Sequence, residues 1–376
     1  MRANLIMLTL LAGLTVVAIG RDRYVDEPIQ PVFEKYMPSA VEILFYRHFD
    51  GTLVMIGSGG PEGKAIASND EGRTWHEWNE IKTWPNFQIS AANRRGEDLF
   101  CHGPDAPNLR VYHSKDRGKT WGPGHTLMQW PKLVAIPNGP RQDHPDEGFR
   151  GKALLWSTPG NRIVVNQEGH LVISIQWLLG GEGVGPELVG ALVSEDDGVT
   201  WRCYELFGPP QGFKDRPSGF AEPKPVLLSD GRMWLVFRTC LGHLWQAFSE
   251  DGGRTWGEPT STGLDAPLGP LHAQRVPNND AVVVAWNYSK PSKDNPFGPR
   301  VPLAFAVSHD HCQKWSRPVI VTEQAGYMYN VFFSDKEMFL NFLEGNGKDP
   351  RAEGFKWRHK LVIYDLKDVL ALQPEE

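Results

Sequence analysis

The chain lacks a run of apolar residues long enough to cross a membrane as a helix. Its longest, Leu5 to Ile19, falls short of the ~20 residues such a span needs. Arg2 precedes that run and the small residues Ala18 and Gly20 close it, which is the layout of a cleaved secretory signal. Residues 1–20 are therefore read as a signal peptide, and residues 21–376 as a chain that is secreted or periplasmic, without stable membrane insertion. Cysteine is scarce: Cys101, Cys203, Cys240 and Cys312 lack metal-site spacing, so no metal is expected, and export leaves their pairing open. Positive charge is not in excess either. A net charge of -6 weighs against nucleic acid or an anionic membrane as partner, and an anionic ligand needs a local cluster of arginines. No cofactor is expected. No low-complexity linker or composition break divides residues 21–376, which are read as a single domain.

What is plentiful is glycine (39), proline (30) and tryptophan (14), a composition suited to short strands, tight turns and aromatic plugs between sheets. One octapeptide recurs, as Ser68-Asn-Asp70-Glu-Gly72-Arg-Thr74-Trp75, and again at Ser114–Trp121, Ser194–Trp201 and Ser249–Trp256. A worn copy, Ser308-His-Asp310-His-Cys312-Gln-Lys314-Trp315, keeps the serine, aspartate and tryptophan and loses the glycine and threonine. The chemistry of the pattern is that of a turn. Serine and aspartate bond nearby backbone groups, glycine supplies a positive φ, and tryptophan buries a large ring between sheets. These aspartates are therefore expected to build hairpins rather than to react.

A weaker repeat, a polar turn followed by an apolar strand, begins at Asp50-Gly51, Glu97-Asp98, Glu168-Gly169, Asp230-Gly231, Asn279-Asp280 and Asp335-Lys336. Each of the first five leads to an octapeptide, and the sixth leads to Lys360–Asp365, a candidate closing strand. Six such sheets closed in a ring leave no exposed edge, so the expected fold is all-β, a six-bladed β-propeller. The widest gap between tryptophans of the repeat, Trp121 to Trp201, holds the polar, turn-rich stretch 137–150, read as a long loop over one face.

The octapeptides are similar to the Asp boxes, or BNR repeats, of the sialidase superfamily, and the resemblance covers nearly all of residues 21–376. It implies a propeller of the sialidase type with a site at the centre of the ring. There three arginines clamp a substrate carboxylate, a tyrosine attacks the anomeric carbon, a glutamate takes its proton and an aspartate serves as acid/base. A neutral phenol avoids repulsion from an anionic substrate and needs a neighbouring carboxylate as base. Phe220-Ala-Glu222-Pro through Arg238 resembles the stretch that supplies the glutamate and second arginine. Arg300–Ser308 resembles the strand with the third arginine, and Ala325-Gly326-Tyr327-Met-Tyr329 the segment with the nucleophile. The resemblance thus nominates Tyr327 as nucleophile and Glu222 as its base, with Arg238, Arg300 and Tyr329 binding substrate; Tyr329 is the alternative inward-facing tyrosine, and Glu344 ends the following strand.

Two departures qualify the likeness. Where the family has Arg-Ile-Pro ahead of the first turn, this chain has Tyr36-Met37-Pro38, and Arg47 is a poor substitute. Losing one bidentate arm weakens recognition of an anionic sugar. At the acid/base position the short connection 57–64 offers only Glu62, with Asp143, Asp146 and Glu147 of the long loop as other carboxylates. The expected activity is that of a sialidase-like exo-glycosidase on a terminal sugar of a glycan or glycoconjugate, acidic in the first place and, with the clamp incomplete, a neutral sugar as the alternative, the protein acting as a monomer. The rival is a non-catalytic propeller that binds glycan or protein through the same depression, where His272 and Trp286-Asn287-Tyr288 suit stacking and hydrogen bonding to sugar.

Overall fold

Each of the described octapeptides closes on itself. The Ser68 hydroxyl donates to Asp70 Oδ1 at 2.8 Å and accepts the Gly72 N–H at 2.8 Å. Asp70 in turn accepts the backbone N–H and the hydroxyl of Thr74, at 2.8 and 2.6 Å. The same set recurs around Asp196 and Asp251. Gly72 has φ +79°, open to glycine at little cost. In the worn copy Cys312 adopts φ +66° and still donates its N–H to Ser308 Oγ at 3.0 Å. The bonds to Thr74 hold the Asp70 carboxyl down at about 2. These aspartates commit their acceptors to the turn.

The computed structural model describes residues 29–37, 43–47, 50–57, 65–77, 88–91, 99–103, 110–114, 120, 128–129, 133–134, 142–143, 151–154, 163–179, 187–208, 219–292, 298–324, 326–346 and 353–374, several strands before 155 by their backbone alone. The expected signal peptide, Glu62, Asp146, Glu147 and most of the octapeptide at Ser114 lie outside the described residues. Among the described residues the hairpins assemble into four four-stranded sheets, one of three strands, one of six and a two-stranded ribbon. Pairing is antiparallel apart from Met128–Gln129, which lies parallel to Trp201–Phe207. The stretch read as a long loop contains the strand Gln142–Asp143, paired with Leu133–Val134. A short helix, Leu366–Ala371, starts where the Asp365 carboxylate accepts the Lys367 N–H.

Two regular sheets run Ala221–Leu227, Met233–Arg238, His243–Ser249, Thr260–Asp265, and then Leu271–Arg275, Val282–Asn287, Leu303–Ser308, Val319–Thr322. Their first strands lie side by side. Ala221–Leu227 neighbours Leu271–Arg275, which neighbours Gly326–Phe333, and Gly326–Phe333 approaches Ile43–Arg47 of the first sheet. Apolar side chains fill the space between sheets. Val331, Leu340, Phe342 and Val362 pack on Val283, Ala285 and Phe305 of the preceding sheet. On the other face, Phe332, Phe339, Leu361 and Ile363 pack on Leu53 and Met55 of the first.

The last sheet corrects one expectation. Lys360–Asp365 lies within the strand Trp357–Asp365, but that strand is not the edge. Phe33–Tyr36 adds outside it, with Phe33 opposite Ile363 and Tyr36 opposite Lys360. The chain thus covers its last edge with a segment from its beginning, which removes a row of unpaired backbone groups.

Antiparallel pairing gives each regular sheet two ends. The turn at Asp230-Gly231 and the octapeptide at Ser249 share one; the starts of the first and third strands and the end of the second share the other. Glu222, Arg238, Arg300 and Tyr327 all fall at this second end, opposite the boxes.

Candidate active site

Two β-bulges set the geometry of the site end. Ala221 pairs with Arg238 and Lys224 with Val236, so three steps along the first strand match two along the second, and Glu222 and Pro223 occupy the excess. The next sheet but one repeats the device: Tyr327 pairs with Leu343 and Asn330 with Asn341. A bulge re-aims a side chain that regular alternation would fix. At Glu222 it also turns the backbone to φ +48°, a left-handed conformation uncommon for a residue other than glycine.

Glu222 is 2% exposed and pairs with Arg238 through Oε1 at 2.9 Å from Nη2. Its N–H donates to Gln176 Oε1 at 2.9 Å, tying the bulge to the neighbouring sheet. Glu222 Oε2 and Arg238 Nε are both buried and have no hydrogen-bond partner among the described residues. Two further ionisable groups crowd this pair. Burial pulls the Lys224 ammonium down to about 8, against the attraction of Glu222. Burial also pushes the Glu187 carboxyl up to about 7; Arg238 works against that rise and Glu222 adds to it. Glu187 begins the strand Glu187–Ser194, and its Oε2 is likewise buried without a partner. Gly219 lies so close beneath that a Cβ there would sit 2.1 Å from the Glu187 carbonyl oxygen, so only glycine fits.

Tyr327 forms a second group. The Arg300 guanidinium carbon lies 4.9 Å from its ring centroid, and the Trp357 indole stacks on it at 5.8 Å with 28° between planes. The Tyr327 hydroxyl makes no hydrogen bond among the described residues. The backbone beneath is fixed by Asn287, whose amide donates to the carbonyls of Arg300 and Gly326 at 3.0 and 3.1 Å.

The third feature surrounds Glu344, 3% exposed and opposite Gly326. Its Oε2 accepts the Tyr36 hydroxyl at 2.6 Å and Arg358 Nη2 at 3.0 Å. Its Oε1 accepts the Thr322 hydroxyl at 2.8 Å and faces Lys360 Nζ at 3.7 Å. Burial and the bond to Glu344 raise the Tyr36 phenol above its ordinary value.

The nominated residues thus fall into two pairs, Glu222 with Arg238 and Arg300 with Tyr327. Tyr329 lies in the strand Gly326–Phe333, its side chain outside the described residues, as Glu62 is entirely. His272 is fully buried, and its Nδ1 accepts the Val331 N–H at 3.1 Å, so its imidazole links two first strands. Trp286 and Asn287 are buried as well, with the Trp286 N–H donated to the Asp265 carbonyl. Asp143 sits in the ribbon beside Leu133. Reading the sequence missed Glu187, Gln176, Lys224 and Arg358. The one available signal was a glutamate opening a strongly apolar strand, Glu187-Leu-Val-Gly-Ala-Leu-Val-Ser194, as Glu222 does in its own.

The model of the BNR repeat-like domain family matches residues 102–341, well over half of the sequence. The chain belongs to the BNR repeat-like family. No curated protein matches this BNR protein in sequence. In three dimensions it is similar to the Hadza microbial sialidase Hz136, with 16% identity and a TM-score of 0.59 over 88% of this chain and 66% of that one. It is similar to a protein of unknown function from Dyadobacter fermentans, with 15% identity and a TM-score of 0.59 over 90% and 99%. It also resembles the NanB sialidase of Streptococcus pneumoniae, with 13% identity and a TM-score of 0.55 over 92% and 72%. At such identity the likeness is one of fold: an all-β arrangement of four-stranded antiparallel sheets like those of sialidase propellers. Among the described residues no helix is long and apolar enough to cross a membrane, and Cys203 and Cys312 are buried free thiols.

Proposed function

We propose that this BNR protein is a six-bladed propeller exported from the cytoplasm as a sialidase-like exo-glycosidase that removes a terminal acidic sugar from a glycan. The observation that carries the reading is the Arg300 guanidinium held 4.9 Å from the ring of Tyr327 at the head of a first strand. A cation there attracts the acidic group of a substrate toward the phenol. In the proposed reaction Tyr327 Oη bonds to the anomeric carbon and its proton passes to Glu222. The bond to the leaving oxygen breaks as a carboxylic acid, Glu62 on this reading, supplies that oxygen with a proton. Water then attacks the anomeric carbon and the bond to Tyr327 Oη breaks; the same carboxylate takes the water's proton, and Glu222 returns its proton to the departing Tyr327 oxygen. Glu222 suits its part: one oxygen is committed to Arg238, and Oε2 is free to receive the proton. Arg238 and Arg300 hold the acidic group; Tyr329 and His272 complete the proposed sugar-binding set, His272 by holding the first strands together.

Assay of the purified protein on a panel of fluorogenic glycosides, acidic and neutral, tests the reading. Turnover of an acidic glycoside is expected, with Tyr327→Phe lowering kcat by about a thousandfold or more, as loss of a nucleophile does. Turnover unchanged in Tyr327→Phe removes the nucleophile from the scheme, and no turnover of any glycoside removes the enzyme. A non-catalytic binding role is favoured by one feature, a cleft of about 370 Å³ bordered by Tyr288, Trp315, Arg317 and Asp265, aromatic and charged as sugar sites are.

A further inference from the structure

The position that supplies a cation in sialidases carries Tyr36 here, and the structure shows what surrounds it. The Tyr36 hydroxyl is bonded to the buried Glu344 carboxylate, so the phenol is anchored and its ring forms a shelf. The Arg358 guanidinium lies over that ring, 4.3 Å from the centroid, and bonds Glu344 through Nη2. One of its five N–H donors is thereby used, and the side chain is 47% exposed. Glu344 accepts hydrogen bonds from Tyr36, Thr322 and Arg358 and faces Lys360, so it acts as an anchor for the cations around it.

Register brings this cation to the site. Gly326, Glu344 and Arg358 lie in one row across three strands. One residue away on the two outer strands of that row, Tyr327 and Trp357 stack on each other. Arg358 therefore stands at the same sheet end at which Arg300 meets Tyr327.

We propose that Arg358, seated on Tyr36 and braced by Glu344, is the binding residue that replaces the missing cation and makes the site selective for an acidic group. This rests on the glycosidase reading above. A guanidinium stacked on an aromatic ring and pinned at one nitrogen is pre-oriented, so it binds an oxyanion without ordering a free side chain. Lys360, 3.7 Å from Glu344 and 5.5 Å from the Tyr36 centroid, helps to balance the buried carboxylate beneath.

The test titrates the full-length protein with N-acetylneuraminic acid and with its uncharged methyl ester by calorimetry. The wild type is expected to prefer the acid. Arg358→Ala is expected to weaken the acid by about 10- to 100-fold, the worth of a hydrogen bond to a charged group, and to leave the ester unchanged. Placing arginine at the sialidase position, in the double variant Tyr36→Arg/Arg358→Ala, is expected to restore the preference. Should Arg358→Ala fail to fold, Arg358→Gln keeps the stem over Tyr36 and serves in the same comparison. Unchanged acid binding in the Arg358 variants overturns the proposal while leaving the glycosidase reading to its own test with Tyr327→Phe. Equal binding of acid and ester by the wild type overturns the selectivity claimed for Arg358. Failure to bind either, with no glycoside cleaved, overturns both.

Discussion

Glu222 commits one carboxylate oxygen to Arg238, and its other oxygen is buried without a hydrogen-bond partner among the described residues. Its neighbour Glu187 shares that buried space. Gln176 stands between them, accepting the Glu222 N–H and bonding the Glu187 carboxylate. Two anions in one buried space repel, and burial together with Glu222 keeps the Glu187 carboxyl up near 7. A carboxyl whose folded pKa exceeds its unfolded value favours the fold while protonated. That stability is fully present below 4.5 and is lost as pH rises through about 7. A tenfold change in proton affinity corresponds to ~1.4 kcal/mol, so the loss amounts to about 3 kcal/mol above neutrality. Glu187→Gln removes the titration: it is expected to raise the melting temperature at pH 8 and to leave it unchanged at pH 4.5. Parallel shifts of wild type and variant at both pH values would show that Glu187 does not titrate in this window.

At the scale of elements, the octapeptide turn is where sequence and structure agree most closely, because its bonds are local. Ser249 and Asp251 bond groups within four residues of themselves, and no distant strand has to be known. Gly253 sits in that turn at φ +95°, and a Cβ there would meet Val172 of the neighbouring sheet at 3.2 Å. Gly253→Ala is therefore expected to cost about 1–2 kcal/mol, from strained φ and the forced shift of Val172. Cys312 fills the equivalent place in the worn copy at φ +66°. Cys312→Ala adds no new strain there and is expected to cost less than Gly253→Ala in chemical denaturation. The bulges at Glu222 and Tyr327 were not legible in the same way. A bulge is a mismatch of count between two paired strands, and nothing in Ala221-Glu-Pro-Lys224 alone states how Met233–Arg238 will meet it. The candidate site residues were nominated by resemblance and order; their pairing into Glu222–Arg238 and Arg300–Tyr327, and the presence of Glu187 and Arg358 nearby, depend on contacts across sheets.

At the scale of the whole molecule, the last sheet is completed by a segment that no local pattern marks. Phe33–Tyr36 is short and largely exposed, and it pairs with residues more than three hundred positions away. Several bonds secure it: Glu34 to Lys360 at 2.9 Å, Tyr36 to Glu344 at 2.6 Å, and the Met37 N–H to the His359 carbonyl at 2.8 Å. Nearby, Arg73 of the first octapeptide reaches Glu337 of the last sheet, with Nη1 to Oε2 at 3.0 Å, so first and last sheets are joined at the box end as well. Removing residues 1–36 leaves Trp357–Asp365 as a bare edge and frees Glu344 of one donor. The truncated protein is expected to lose on the order of several kcal/mol of stability, as loss of a paired edge strand implies, and to become prone to association. Tyr36→Phe keeps the strand and deletes only the hydroxyl bond, so its cost should stay near ~1–2 kcal/mol, that of one buried acceptor left short. Thermal unfolding of the two variants separates the possibilities. A truncation no worse than Tyr36→Phe would mean that the strand contributes through Glu344 alone. A much larger drop, with light scattering rising at the transition, would mean that closure of the last sheet holds the site end, and with it Arg358, Arg300 and Tyr327, in one arrangement.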